Sequence, residues 1–445
     1  MAEVSRKGVW GWMLFDWASQ PFHTLLITFI FGAYFVNVVA PDPITGQATW
    51  GWMLAASGAF IAILAPILGS MADAVGPRKP WIFGFSIFYV LGSAALWFAV
   101  PDMPDPIWIL IAFGVGLVGV EFATVFTNAM LPDLGPPEKV GALSGNGWAM
   151  GYAGGIVSLI IALGFLIGSP ETGATLLGFA PLFGLDPAMG EGERATGVLT
   201  AVWYVVFMIP LFLFTPDRPR NAVTSALNSG LQDLRGTLKT LPARKSFTSY
   251  LISSMFYRDA LNGLFAFGGL YATGVLGWSI IQLGVFGIVA AATGVVGAVV
   301  GGRLDVSRGP KPVVMGSILI LTLICIAVVM TTPTQVMGIP VAEGSSAPTV
   351  AFYVFGGILG AMAGSVQAAS RTLLVRQSSQ GAMTQSFGLY ALTGKATAWL
   401  APVSVAAATT VTESQRFGIV PIIVLFLIGG LLLVAVKPEG DDAPT

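Results

Sequence analysis

Twelve runs of roughly 20 apolar residues leave this chain little choice of fold. They begin near Val9, Trp50, Pro80, Pro106, Val140, Ala195, Phe247, Ser279, Pro312, Thr349, Ala382 and Arg416. Segments of that length cross a bilayer as helices and are about twice too long for membrane β-strands, so an all-α integral membrane protein is expected. The 445 residues are 55% hydrophobic and only 10% charged, where a soluble domain carries about 25% charge. Arg6 and Lys7 lead straight into the first run without a small-residue cleavage site, so no signal peptide is expected. The single cysteine, Cys325, lies in an apolar run, which excludes a disulfide framework and a thiolate metal cluster. No basic patch suits a nucleic acid.

Charge placement orients the spans. With twelve spans both termini share one side. Of the 21 Lys and Arg, sixteen fall on that side, two (Arg194 and Arg416) on the other and three within spans. The positive-inside rule then places the termini in the cytoplasm of a bacterial cell, around an inner-membrane protein. Trp10, Trp12, Trp50, Trp52, Trp81, Trp97 and Trp108 sit near span ends, as interfacial anchors do.

The longest connection divides the chain into a six-helix bundle at 1–215, a linker at 216–245, a second six-helix bundle at 246–437 and a tail at 438–445. Within the linker, Leu227, Leu231, Leu234, Leu238 and Leu241 mark one face of a helix opposed by Gln232, Asp233, Arg235 and Lys239. This predicts a helix on the inner membrane surface. The halves repeat each other: GSMADAVGPRKP (69–80) aligns with GGRLDVSRGPKP (301–312), mapping Gly69, Asp73, Lys79 and Pro80 onto Gly301, Asp305, Lys311 and Pro312. A parallel repeat on this scale indicates a transporter made of two bundles.

At Gly69, Asp73, Gly76, Arg78 and Lys79 the chain resembles the major facilitator superfamily, whose signature after the second helix is Gly–x–x–x–Asp–x–x–Gly–Arg–Lys, here with one inserted proline. FDWASQPF, TNAMLPDL, SGNGWAMGYAGG, GSVQAASRTL and FGLYALTGKATAWLAP resemble its autophagy-related vacuolar effluxer-like branch, also called the unknown major facilitator family. Yeast members of that branch are associated with amino-acid export from the vacuole. Two places depart from the usual pattern. Ser19, Gln20, Pro21, Phe22 and His23 replace Asn-Ser-Ala-Tyr after Ala18, and Arg258, Asp259 and Ala260 replace Asn-Asp-Gly. The resemblance implies that helices 1, 4, 7 and 10 line a central cavity. It also implies that Asp73, Arg78, Lys79, Asp305, Arg308 and Lys311 gate it from the cytoplasmic side.

Asp16, Glu121, Arg258, Asp259, Arg371 and Lys395 fall inside spans, and charges at membrane depth mark functional sites. At about 1.5 Å per residue, Arg258, Glu121 and Lys395 lie roughly 15–20 Å deep. Arg258 and Asp259 are adjacent, so they point about 100° apart and each needs a partner elsewhere. Depth suggests Arg258 with Glu121, Asp259 with Lys395 or a partner inside its own bundle, and Arg371, a gating candidate, with Asp16 nearer the cytoplasm. Glu121, Asp16, Asp259 and His23 are the candidate proton carriers; Pro21 should kink the helix that carries His23. Asn128, Asn146, Tyr152, Tyr257, Asn262, Gln367 and Tyr390, walled by Trp148 and Trp399, would complete a small polar pocket around Arg258, Asp259, Glu121 and Lys395.

The expected function is secondary transport of a small polar solute, an amino acid or similar zwitterion, by a monomer using alternating access and a proton gradient. No GxxxxGK[ST] loop supports a nucleotide-driven pump, no HExxH motif supports an enzyme, and no cofactor is expected. Three alternatives remain: a lipid or lipid-precursor translocator, a non-transporting sensor or scaffold, and a copper importer using His23 with Met13, Met53, Met130, Met150 or Met255.

Overall fold

The computed structural model describes residues 4–221, 226–278 and 280–441. Its principal helices are α1 (Arg6–Pro21), α2 (Pro43–Val75), α3 (Lys79–Ala95), α4 (Ile107–Ala129), α5 (Pro137–Ile161), α6 (Glu191–Phe214), α7 (Ala226–Thr240) and α8 (Lys245–Gly274). There follow α9 (Ile280–Arg308), α10 (Pro310–Val329), α11 (Ala347–Gln377), α12 (Met383–Ala396), α13 (Leu400–Thr412) and α14 (Val420–Val434). Among the described residues ten helices are long and apolar enough to cross a membrane. The predicted seventh and eleventh spans are not among them, for physical reasons. The seventh, α8, carries Arg258 and Asp259 in its middle, and the eleventh is broken into α12 and α13.

Pro21 changes the first span without ending it. Proline has no N–H for the Trp17 carbonyl four residues earlier, and the Trp203 indole N–H donates to that carbonyl instead at 3.0 Å. The chain then widens into a π-helical stretch, Phe22–Phe29, before the short helix Phe31–Tyr34.

Two compact units form. The first holds residues 1–65, 74–134 and 150–226; the second holds 66–73, 135–149 and 227–445. The second thus includes the end of α2 and the start of α5 besides the six C-terminal spans.

The sequence repeat reappears as a repeated pair of helix caps. In the first unit Lys79, at the start of α3, donates to the Phe212 carbonyl near the end of α6 at 3.0 Å. Arg194, near the start of α6, donates in return to the Trp97 carbonyl beyond α3 at 2.6 Å. In the second unit Lys311, at the start of α10, donates to the carbonyls of Val434 and Val436 at 2.9 and 2.6 Å, and Arg416 returns a bond to Val329 at the end of α10 at 2.6 Å. Helix C-termini leave carbonyls unsatisfied and carry partial negative charge, so a cation there satisfies both needs. The two arginines that break the charge-sidedness rule are explained: each caps a helix end. Lys311→Ala and Arg416→Ala are each expected to cost about 1 kcal/mol, read as a lower thermal midpoint; equal midpoints for wild type and variants would remove the caps from the account.

The leucine face of α7 is divided. Leu234 is buried, whereas Leu231 and Leu238 are exposed; the Leu227 side chain lies outside the described residues. The Ser70 hydroxyl donates to the Gly230 carbonyl at 2.5 Å, and the Thr237 hydroxyl donates to the Gln385 side-chain oxygen at 3.0 Å. The linker helix therefore rests on the ends of α2 and α12.

Candidate functional site

The break in the eleventh span has a local cause. Pro402, in the first turn of α13, has no N–H for the Ala398 carbonyl, and the Ala401 N–H is taken by Asp259, so two successive ladder bonds are missing at this turn. Residues 397–399 form a turn between the two helices. Arg258 and Asp259 of α8 each take one side of it. The Arg258 guanidinium donates to the Tyr390 carbonyl of α12 at 2.8 Å and lies 3.9 Å from the centre of the Tyr390 ring. Tyr250 stacks nearly parallel against Tyr390, ring centres 6.0 Å apart. A side chain at Gly394 would come within 2.6 Å of the guanidinium, which would have to shift to admit it. On the other side, the Asp259 Oδ2 accepts the backbone N–H of Ala401, in the first turn of α13, at 2.7 Å. Asp259 is 2% exposed, and among the described residues its Oδ1 has no hydrogen-bond partner.

The adjacent charges thus have partners on one broken helix. The partner the structure gives Arg258 is Tyr390, within its own unit. Asp259 turns to the Ala401 backbone, within its own bundle. Lys395 lies half-buried in the last turn of α12. Trp399, 60% exposed, stands on the turn itself, its indole donating to the Ala396 carbonyl at 2.9 Å. Asp259 is thus buried, while Trp399 stands exposed on the turn.

Other predicted pocket residues divide. Tyr257 is fully buried and shares a 2.8 Å bond with the Ser370 hydroxyl, which makes it a packing group of α8 against α11. Gln367 is half-buried and donates to the Ala363 carbonyl at 3.0 Å, while Asn262 and Asn146 are exposed. In the first unit Asp16, His23, Glu121, Asn128 and Tyr152 are all half-buried, and the Asn128 side-chain oxygen lacks a hydrogen-bond partner. Among the described residues no group of three or more His, Cys, Asp and Glu is placed to hold a metal ion.

The signature loops act on helix starts. The Asp73 Oδ1 accepts the Thr384 hydroxyl at 2.7 Å and its Oδ2 accepts the Gln385 N–H at 2.9 Å, which caps the first turn of α12. Asp305, the repeat counterpart, lies buried against the first turns of α5, where a side chain on Gly141 would come within 2.6 Å of its carboxyl carbon. Arg78 is buried and pairs with Asp133 at 2.7 Å. Arg308 is exposed. Arg371 is buried with its guanidinium 5.3 Å from the Trp148 ring centre. Sequence reasoning missed three partners in the first loop. Arg218 reaches both Asp133 oxygens at 2.8 Å, and Asp217 accepts the N–H groups of Arg78 and Lys79 at 2.9 Å. The acid of TNAMLPDL was the available signal for Asp133.

A repeated helical membrane chain with these loops and a broken span is a membrane transporter of the major facilitator class. It belongs to the vacuole effluxer Atg22-like family, whose model matches residues 44–440. An uncharacterised MFS-type transporter, YxiO of Bacillus subtilis (strain 168), is 24% identical over 440 residues, covering 96% of this chain and 94% of the relative. Among solved structures, the human organic anion transporter MFSD10 (TETRAN) matches with TM-score 0.70 at 15% identity, covering 96% of this chain and 99% of that one. A bacterial homologue of the iron transporter ferroportin in an outward-facing state matches with TM-score 0.67 at 13% identity, covering 96% and 98%. At these identities the solved structures speak for the fold, and the resemblance read from the signature loop stands.

Proposed function

We propose that this protein moves a small zwitterion, an amino acid or a close analogue, across a bacterial cytoplasmic membrane by proton-driven alternating access, with both termini cytoplasmic. The observation that carries the reading is the guanidinium of Arg258, held over Tyr390 of α12 in the span that breaks at 397–399. Broken helices form solute sites in several secondary transporter folds, and a planar guanidinium recognises a carboxylate in two-point fashion. The coupled proton is carried by Glu121, Asp16 or His23, each half-buried in the first unit. Asp73, Asp305, Arg78 and Arg371 belong to the gate, which opens when the helix-start contacts of α12 and α5 part.

The test is uptake by proteoliposomes under an imposed pH gradient. Glu121→Gln should abolish gradient-driven accumulation and retain exchange of labelled for unlabelled solute. Loss of both would remove Glu121 from proton coupling. A second reading, an organic anion without an amine, is favoured by the withdrawal of Asp259 from the exposed face. It predicts that a monocarboxylate competes as well as the matching amino acid.

A further inference from the structure

We infer that the eleventh span is a hinged helix whose two halves are gripped separately by neighbouring residues of α8, and that Asp259 is a positioning residue for the outer half, not a solute ligand. Four observations support this. The ladder is interrupted at residues 397–399, where Pro402 has no N–H to donate to Ala398. Arg258 holds only α12, through the Tyr390 carbonyl and ring. Asp259 holds only α13, through the Ala401 N–H, at the end of that helix where the backbone dipole favours an anion. Gly263, one turn further along α8, lets α13 lie close: a side chain there would sit 2.9 Å from the Ala401 Cβ.

Two residues one position apart on a helix point about 100° apart, so a single turn of α8 can brace both sides of a break. A lone carboxylate could not do this, because α12 presents a carbonyl and α13 an N–H. The Arg-Asp order gives each half the charge its backbone calls for. A solute that draws Arg258 away releases α12 alone and leaves α13 anchored, so binding is converted into bending at 397–399. That consequence rests on the proposed solute site; the separate grips do not.

Hydrogen–deuterium exchange of the purified full-length protein in nanodiscs tests the grips without any solute. Asp259→Ala should speed exchange over residues 400–408 about tenfold or more, the loss of one buried charge-assisted bond, and leave 387–396 within about twofold of wild type. Arg258→Ala should do the reverse. Asp259→Asn, which keeps an acceptor for Ala401, should stay near wild type throughout. Pro402→Ala restores a donor for Ala398 and should slow exchange across 397–403; it carries the test alone if Asp259→Ala does not fold. If both alanine variants loosen both segments together, or Pro402→Ala changes nothing, the span is not hinged and the inference falls. Intact separate grips with failed solute transport would overturn the proposed function alone.

Discussion

Arg258→Glu is expected to abolish transport, lowering initial uptake by about 100-fold or more, which corresponds to roughly 2.7 kcal/mol. The wild-type guanidinium makes a 2.8 Å bond to the Tyr390 carbonyl and lies 3.9 Å from the ring centre. A charge-assisted bond contributes about 1.5–3 kcal/mol and a desolvated cation–π contact about 2 kcal/mol. Glutamate loses both and sets a carboxylate against a carbonyl oxygen and the negative face of a ring. For the zwitterion proposed above, it also repels the solute carboxylate. Arg258→Lys keeps the charge without the planar fork and should retain measurable but reduced uptake. Uptake by Arg258→Glu within about threefold of wild type would place the solute elsewhere.

The second large effect is expected at Gly145. There the start of α5 crosses α9 with almost no space between backbones. A side chain on Gly145 would overlap the Ala298 carbonyl and lie 2.8 Å from the Gly302 Cα, and one on Gly302 would lie 2.7 Å from the Gly141 carbonyl oxygen. Small residues allow such approach in membrane helices, and a buried side chain forced into it costs about 1–3 kcal/mol. Gly145→Val should therefore push residues 135–149 off α9 and α11. The neighbouring Ser144 is fully buried, its hydroxyl bonded to the Ala368 carbonyl at 2.7 Å. In a Cys325→Ala background, a cysteine at position 144 should resist maleimide when Gly145 is intact and react about tenfold faster or more with Gly145→Val. Equal rates would show that the crossing is not tight.

How far the sequence reaches follows from what it encodes locally. Span lengths, charge sidedness and the 232-residue repeat are one-dimensional patterns, and ten spans and the superfamily fold were legible from them. The caps by Lys79 and Lys311 were visible only as cytoplasmic charge, and those by Arg194 and Arg416 only as exceptions to it. Their purpose depends on which antiparallel helix lies alongside. The break at 397–399 had a signal in Pro402, but proline near the start of a helix and proline inside one look alike without the fold. Arg258 and Asp259 were legible as a pair needing partners on other helices. That the partners are backbone groups flanking one break was not, because a carbonyl and an N–H leave no mark in a sequence.

The measurement that bears most directly on the solute reading is a thermal-shift screen of the purified protein. It compares wild type with Arg258→Ala against amino acids, betaines, organic acids, sugars and copper. A solute present at about 100 times its dissociation constant stabilises by roughly 2.7 kcal/mol. The account predicts that a carboxylate-bearing zwitterion raises the midpoint of the wild type and leaves Arg258→Ala unmoved. A solute that stabilises both proteins equally, or stabilisation by lipids alone, would contradict it.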